Sequence, residues 1–158
     1  MKSEFSKPIL TAKERFLELK KDRLTIMDGH LGIALRYYHF TLQAEERKHF
    51  PETVINLAIA AEAMLSTGEN FKSNLKRRIS TFISENESER IEIAEKIGDF
   101  YDLRGAIVHG GHKKIPLSVL RAANKYIRRA IDKALALRIY DKEELIKTIE
   151  DMPKLTSN

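Results

Sequence analysis

The side chains best suited to act on a phosphate lie within one stretch, Ile97–His112. Arg104 carries a guanidinium that stays charged at physiological pH and can hold a phosphate through two parallel N–H donors. His109, five residues later, has the side chain whose ordinary pKa, about 6.5, lies nearest neutrality, so it can give or take a proton. A site acting on a phosphate needs to place it, neutralise its charge and move protons, and these two residue types suit those functions.

The elements around them decide whether they can cooperate. Ile97, Phe100, Tyr101, Ile107 and Val108 recur at helical spacing, and Arg104 falls on the same apolar stripe. A guanidinium there has to be ion-paired, solvated in a cleft or turned toward another subunit. Gly110-Gly111 is a helix stop, because glycine takes left-handed backbone angles without a Cβ clash, so His109 is predicted at the helix C-terminus. In an unbroken helix a five-residue separation sets two side chains about 140° apart around the axis and roughly 7.5 Å apart along it. Arg104 and His109 thus meet on one anion only if the helix ends or distorts near Val108, or if a second chain completes the site. The alternative gives Arg104 a buried ion pair and makes His109 a helix cap. The motif helix is therefore expected at a twofold subunit interface, which would bring two copies of the motif together.

The rest of the chain reads as helices. A first is predicted over Thr11 to about Ile26, ended by Asp28-Gly29, and a second from His30 to about Arg47. The third, Glu52–Ser66, contains an apolar run from Val54 to Ala61 and is predicted to be the most buried. Glu62 follows that run directly and needs either a partner or a route to water; Arg104 or Arg36 is the expected partner. The fourth runs from Asn70 to Ser84, with Leu75, Ile79 and Phe82 inward and Lys72, Lys76, Arg77 and Arg78 outward. After the motif helix, a long helix from Pro116 to Leu137 carries Arg121, Lys125, Arg128, Arg129 and Lys133 on its outer side. Asn124 sits beside its core stripe and, if buried, needs hydrogen-bond partners. Asp141 is placed to cap a short last helix, Glu143–Asp151. The pattern is all-α, an antiparallel bundle in one domain over 1–158, with its core at about 30–138 and loose ends at 1–9 and 153–158.

Composition narrows the function. The 158 residues include no cysteine, so a thiolate zinc site, a cysteine nucleophile and disulfides are excluded. No apolar run reaches the roughly 20 residues needed to span a bilayer, and the N-terminus lacks the apolar core of a signal peptide. The expectation is a cytoplasmic protein without membrane contact. A net charge of +5 suits a polyanionic partner. The basic residues Arg77, Arg78, Lys113, Lys114, Arg121 and Lys125 are the candidate contacts to RNA as such a partner, the alternative being a solvated face. No glycine-rich phosphate loop and no metal-ligand spacing is found among the histidines, so neither cofactor nor metal is expected.

The segment Arg104-Gly-Ala-Ile-Val-His109, an Arg-x4-His near a helix end, resembles the signature of HEPN domains (higher eukaryotes and prokaryotes nucleotide-binding). Tyr101–Gly110, Ala60–Leu65 and Ile33–Tyr38 together resemble the branch found in abortive-phage-infection proteins, over roughly Leu31–Leu137. The resemblance implies a dimeric HEPN-type bundle, here with extra terminal helices, in which two motifs face each other across a cleft. It further implies a metal-independent endoribonuclease in phage defence or a toxin–antitoxin system, partnered by an antitoxin or a nucleotidyltransferase. Arg104 and His109 would be the catalytic residues; on our own reading of the residues Glu62 orients Arg104, and Tyr101 is a further supporting residue. Catalytic members often carry a polar residue directly after the motif arginine; Gly105 stands there. A non-catalytic module binding RNA, nucleotide or a partner protein is therefore the alternative, and a structural dimerisation domain the third reading.

Overall fold

The computed structural model describes residues 29–68, 70–110 and 114–153. The helix expected over 11–26, the chain ends 1–9 and 154–158, His112 and Lys113 lie outside the described residues. All regular structure among the described residues is helical: α1 His30–Glu46, α2 Phe50–Leu65, α3 Phe71–Ile83, α4 Glu87–Val108, α5 Leu117–Leu137 and α6 Lys142–Glu150. The protein is an all-α helical bundle.

Local chemistry sets the boundaries. Pro51 stands in the first turn of α2, where its missing N–H costs nothing, and the helix begins at Phe50 rather than at Glu52. Asn86 caps α4 by accepting from the Glu89 N–H at 3.0 Å, with Glu87 and Glu89 facing the positive helix end. Asp141 caps α6 by accepting from the N–H groups of Glu143 and Glu144 at 2.9 and 3.1 Å. At the far end of α4, Gly110 takes φ +73° and its N–H reaches the Ile107 carbonyl at 3.0 Å, which closes the helix at Val108.

Side-chain pairs fix how the helices run. Lys72 bonds Asp102, and the Lys76 stem lies over Gly98, so α3 and α4 are antiparallel. Tyr126 donates to Glu92 at 3.0 Å and Arg129 to Glu89 at 2.7 Å, so α4 and α5 are antiparallel as well. Helix α2 touches every other described helix. Its Val54, Leu57, Ala58, Ala60, Ala61, Met64 and Leu65 are buried, and the alanines let neighbours approach closely. Phe82, Phe100, Ile93, Ile97 and Ile127 complete the core around it, each stabilising the fold by about 1.5–3 kcal/mol through burial. Asn124, beside the core, accepts from the Tyr38 hydroxyl at 2.8 Å and donates to Glu45 at 3.5 Å.

The basic residues of α5 are more occupied than their sequence positions suggest. A helix leaves its last carbonyls without intrahelical partners, with partial negative charge. At the end of α3 these carbonyls are met by cations from two other helices. Phe82 O accepts from Lys133 at 2.6 Å, Ile83 O from Arg129 at 2.9 Å and Ser84 O from Arg90 Nε at 2.7 Å.

Candidate functional site

The site is built where α2 and α4 lie side by side. Tyr101 reaches across from α4 to the Ala58 carbonyl of α2 at 3.4 Å. One turn further on in both helices, Arg104 Nη2 lies 3.7 Å from Glu62 Oε1. Both contacts advance in the same sense, so α2 and α4 run parallel, as helices separated by one other in an up-and-down bundle must. Tyr101 is held in place by edge-to-face packing against Phe71 and Phe100, each at 5.4 Å between ring centres. Its burial pushes the phenol pKa well up, with Glu62 adding to the rise and Arg104 opposing it.

Of the two partners that the sequence offered Glu62, the structure supplies Arg104. The pair is loose. At 3.7 Å it is an electrostatic contact without a hydrogen bond, and both Glu62 Oε1 and Arg104 Nε are buried atoms with no hydrogen-bond partner among the described residues. The Arg104 side chain keeps 35% of its exposure and that of Glu62 21%, so the pair sits at a wall of the bundle rather than inside it. Burial raises the Glu62 pKa more than Arg104 lowers it, with Lys142 a further lowering influence. This arginine retains donors for an outside anion.

His109 stands at the end of α4, exposed, with its backbone N–H on the Gly105 carbonyl at 3.1 Å. The helix is closed by Gly110 immediately after it, so its imidazole belongs to a chain terminus while Arg104 belongs to the packed face. Between them, Gly105 is not demanded by space: a Cβ placed there would meet nothing within 4 Å. Val108 beside it is 53% exposed.

The basic residues predicted to contact RNA divide sharply. Arg78, expected to face outward, is buried; its Nη1 donates to the Leu65 carbonyl at 2.6 Å and to Thr67 at 2.9 Å, and its Nε lies 3.5 Å from Glu150. The reason is helical phase: Arg78 is one turn from Leu75 and opposes the last carbonyl of α2. Arg77 is held bidentately by Glu150 at 2.8 and 2.5 Å, which neutralises it and lowers the Glu150 pKa. Lys114, Arg121 and Lys125 are exposed, with no carboxylate within 4 Å among the described residues. Lys125 lies over the Tyr126 ring, 5.3 Å from its centre. Sequence reasoning missed the structural roles of Arg90, Arg129 and Lys133, since no local pattern tells which carbonyl a long side chain will find.

No group of three or more His, Asp or Glu residues is placed to hold a metal ion among the described residues. Among the same residues, no helix is long and apolar enough to cross a membrane. Comparison with protein-family models, with curated proteins and with solved structures returned no match.

Proposed function

We propose that this chain is a metal-independent endoribonuclease of the HEPN kind, acting in the cytoplasm as a homodimer in phage defence or a toxin–antitoxin system. The observation that carries the reading is the Arg104–Glu62 pair, a half-exposed guanidinium anchored by one carboxylate without hydrogen-bonding it. Such an arginine can take a phosphate with little to give up. His109 at the helix end provides the proton-transfer group. One copy per chain of each residue suits a twofold site, in which one histidine accepts the 2′-hydroxyl proton while the other donates to the leaving 5′-oxygen. Attack of the 2′-oxygen on phosphorus then leaves a 2′,3′-cyclic phosphate and a 5′-hydroxyl. Exposed Val108 and the open space at Gly105 favour a surface that another subunit can approach closely. An antitoxin or nucleotidyltransferase would be the accompanying protein.

The test is cleavage of labelled single-stranded RNA in excess EDTA. A positioned proton-transfer group is worth about 10²–10⁴-fold in rate, so His109→Ala should lose at least the lower figure with an unchanged circular dichroism spectrum. Arg104→Ala should lose both RNA binding and turnover. Cleavage that persists in His109→Ala, or that vanishes from the wild type on chelation, defeats the mechanism. Gly105 favours a second reading, a module that binds RNA without cutting it, because it leaves no polar group after the arginine. Binding without turnover in the wild type selects that reading. Gly105→Ser, which fits the open space, should then be the substitution that introduces cleavage.

A further inference from the structure

A second concave site lies on α3, α4 and α6, away from Arg104. It is a groove of about 690 Å³, within the range of small-molecule sites, and its nearest α4 residue, Ala94, is roughly 15 Å along the helix from Arg104. One wall is aliphatic, formed by Ile91, Ala94, Ile149 and Met152. The α3 residues that line it are Ser73, Lys76, Arg77, Ser80 and Thr81.

The charge in this groove is unbalanced. Glu150, its one acid, is taken up by Arg77 and Arg78. Arg90, which also lines the groove, is buried and donates to two backbone carbonyls, of Ser84 and Pro153, with no carboxylate within 4 Å among the described residues. Lys76 has none either. Its stem is laid across buried Gly98, where a Cβ would come within 3.4 Å of the stem and 3.5 Å of the ammonium, so the ammonium lies over α4. The hydroxyls of Ser73 and Thr81 make no hydrogen bond with the described residues. Two cations without a carboxylate partner, and two hydroxyls without a hydrogen-bond partner, among the described residues thus border an aliphatic wall.

The geometry points to a binding site for a small amphiphilic anion, with a carboxylate or phosphate head at Lys76 and an aliphatic body along Ile91 and Met152. A nucleobase is a poorer occupant, since no aromatic ring lines the groove to stack on it. The proposal is independent of the nuclease reading and uses none of its residues.

Full-length protein labelled with ¹⁵N is titrated with octanoate, octyl phosphate and octanol below their aggregation concentrations. At least one anion should give saturable, one-to-one shifts centred on 73–81 and 91–94, the tighter one naming the head group. Octanol should bind at least about 10-fold more weakly, as expected for loss of a charge-assisted hydrogen bond. Lys76→Gln should weaken anion binding by a similar factor, and Ile91→Glu, at a position 54% exposed, should abolish it without unfolding the chain. Octanol binding as tightly as the anions overturns the proposal, as does Lys76→Gln behaving like the wild type. Shifts centred on Glu62 and His109, or no saturable shift with either anion, overturn it too.

Discussion

Arg78 and Arg104 both leave the inner side of a helix and both point at a glutamate, yet the fold uses them differently. Arg78 meets an orphaned carbonyl at the end of α2, a threonine hydroxyl and Glu150, and its side chain is 8% exposed. Among the described residues Arg104 meets Glu62 alone, at 3.7 Å, and is 35% exposed. What separates an arginine taken up by the fold from one left with a single loose contact is therefore not its place on the helical wheel. It is whether a helix end stands opposite with carbonyls to satisfy. Arg78 faces the last carbonyl of α2; Arg104 faces the Glu62 side chain one turn earlier, where the backbone carbonyl is already bonded by the Ser66 N–H at 3.0 Å.

The contrast can be broken first at Arg78. Arg78→Met strands the Leu65 carbonyl and removes a buried charge partner of Glu150, so it should cost about 3 kcal/mol in urea unfolding. Arg104→Met should cost less than about 1 kcal/mol, since its one contact is half-exposed and loose. Equal losses would erase the distinction. A smaller effect, about 1 kcal/mol, is expected for Glu150→Gln, because its pairs with Arg77 and Arg78 are partly screened.

The two glutamates should also respond to pH with opposite sign. The Arg77 hydrogen bond lowers the Glu150 pKa, so that pair's stabilisation is present above the unfolded carboxylate value of about 4.3 and fades as pH falls through the lowered folded value. Burial raises the Glu62 pKa, so the folded protein keeps that proton to higher pH than the unfolded chain does. Its contribution to stability therefore falls as pH rises from about 4.3 through the raised value. Unfolding of Glu62→Gln and wild type across that range should show the mutant gaining relative to wild type as pH rises, by less than about 1 kcal/mol. A mutant that instead loses ground with rising pH would make Glu62–Arg104 a true stabilising pair, like Arg78–Glu150. Smallest of all, Arg121→Gln and Lys125→Gln should each leave stability unchanged and, on the proposed RNA-binding reading, lower the salt dependence of that binding by about 1 in slope.

Much of the fold is legible because helix punctuation is local chemistry. Asp141 caps, Pro51 opens and Gly110 closes by rules that involve only a few neighbouring residues. The buried run of α2 is readable for a similar reason, as an apolar stretch leaves no face for water. The candidate pair was partly readable, since Glu62 and Arg104 each break an apolar pattern and so need each other or solvent. The fate of the basic residues was not. Arg77 and Arg78 are adjacent in the chain, but one is gripped at the surface and the other buried, which depends on where α2 ends and α6 packs. The groove beside them was invisible for the same reason, since it exists only where α6, distant in sequence, packs against α3 and α4.

The cations that meet the end of α3 bear on how the molecule opens. Phe82, Ile83 and Ser84 each hand a carbonyl to α4 or α5. Fraying that helix end thus releases Lys133, Arg129 and Arg90 together, and with them the contacts that seat two longer helices. Local opening of α3 from its C-terminus is thereby tied to α4 and α5, so the three should exchange their amide protons as one cooperative unit. The start of α1, tied by the Leu31 N–H to the Tyr140 carbonyl and by His30 to Asp141, is anchored to a different segment and is free to exchange on its own schedule.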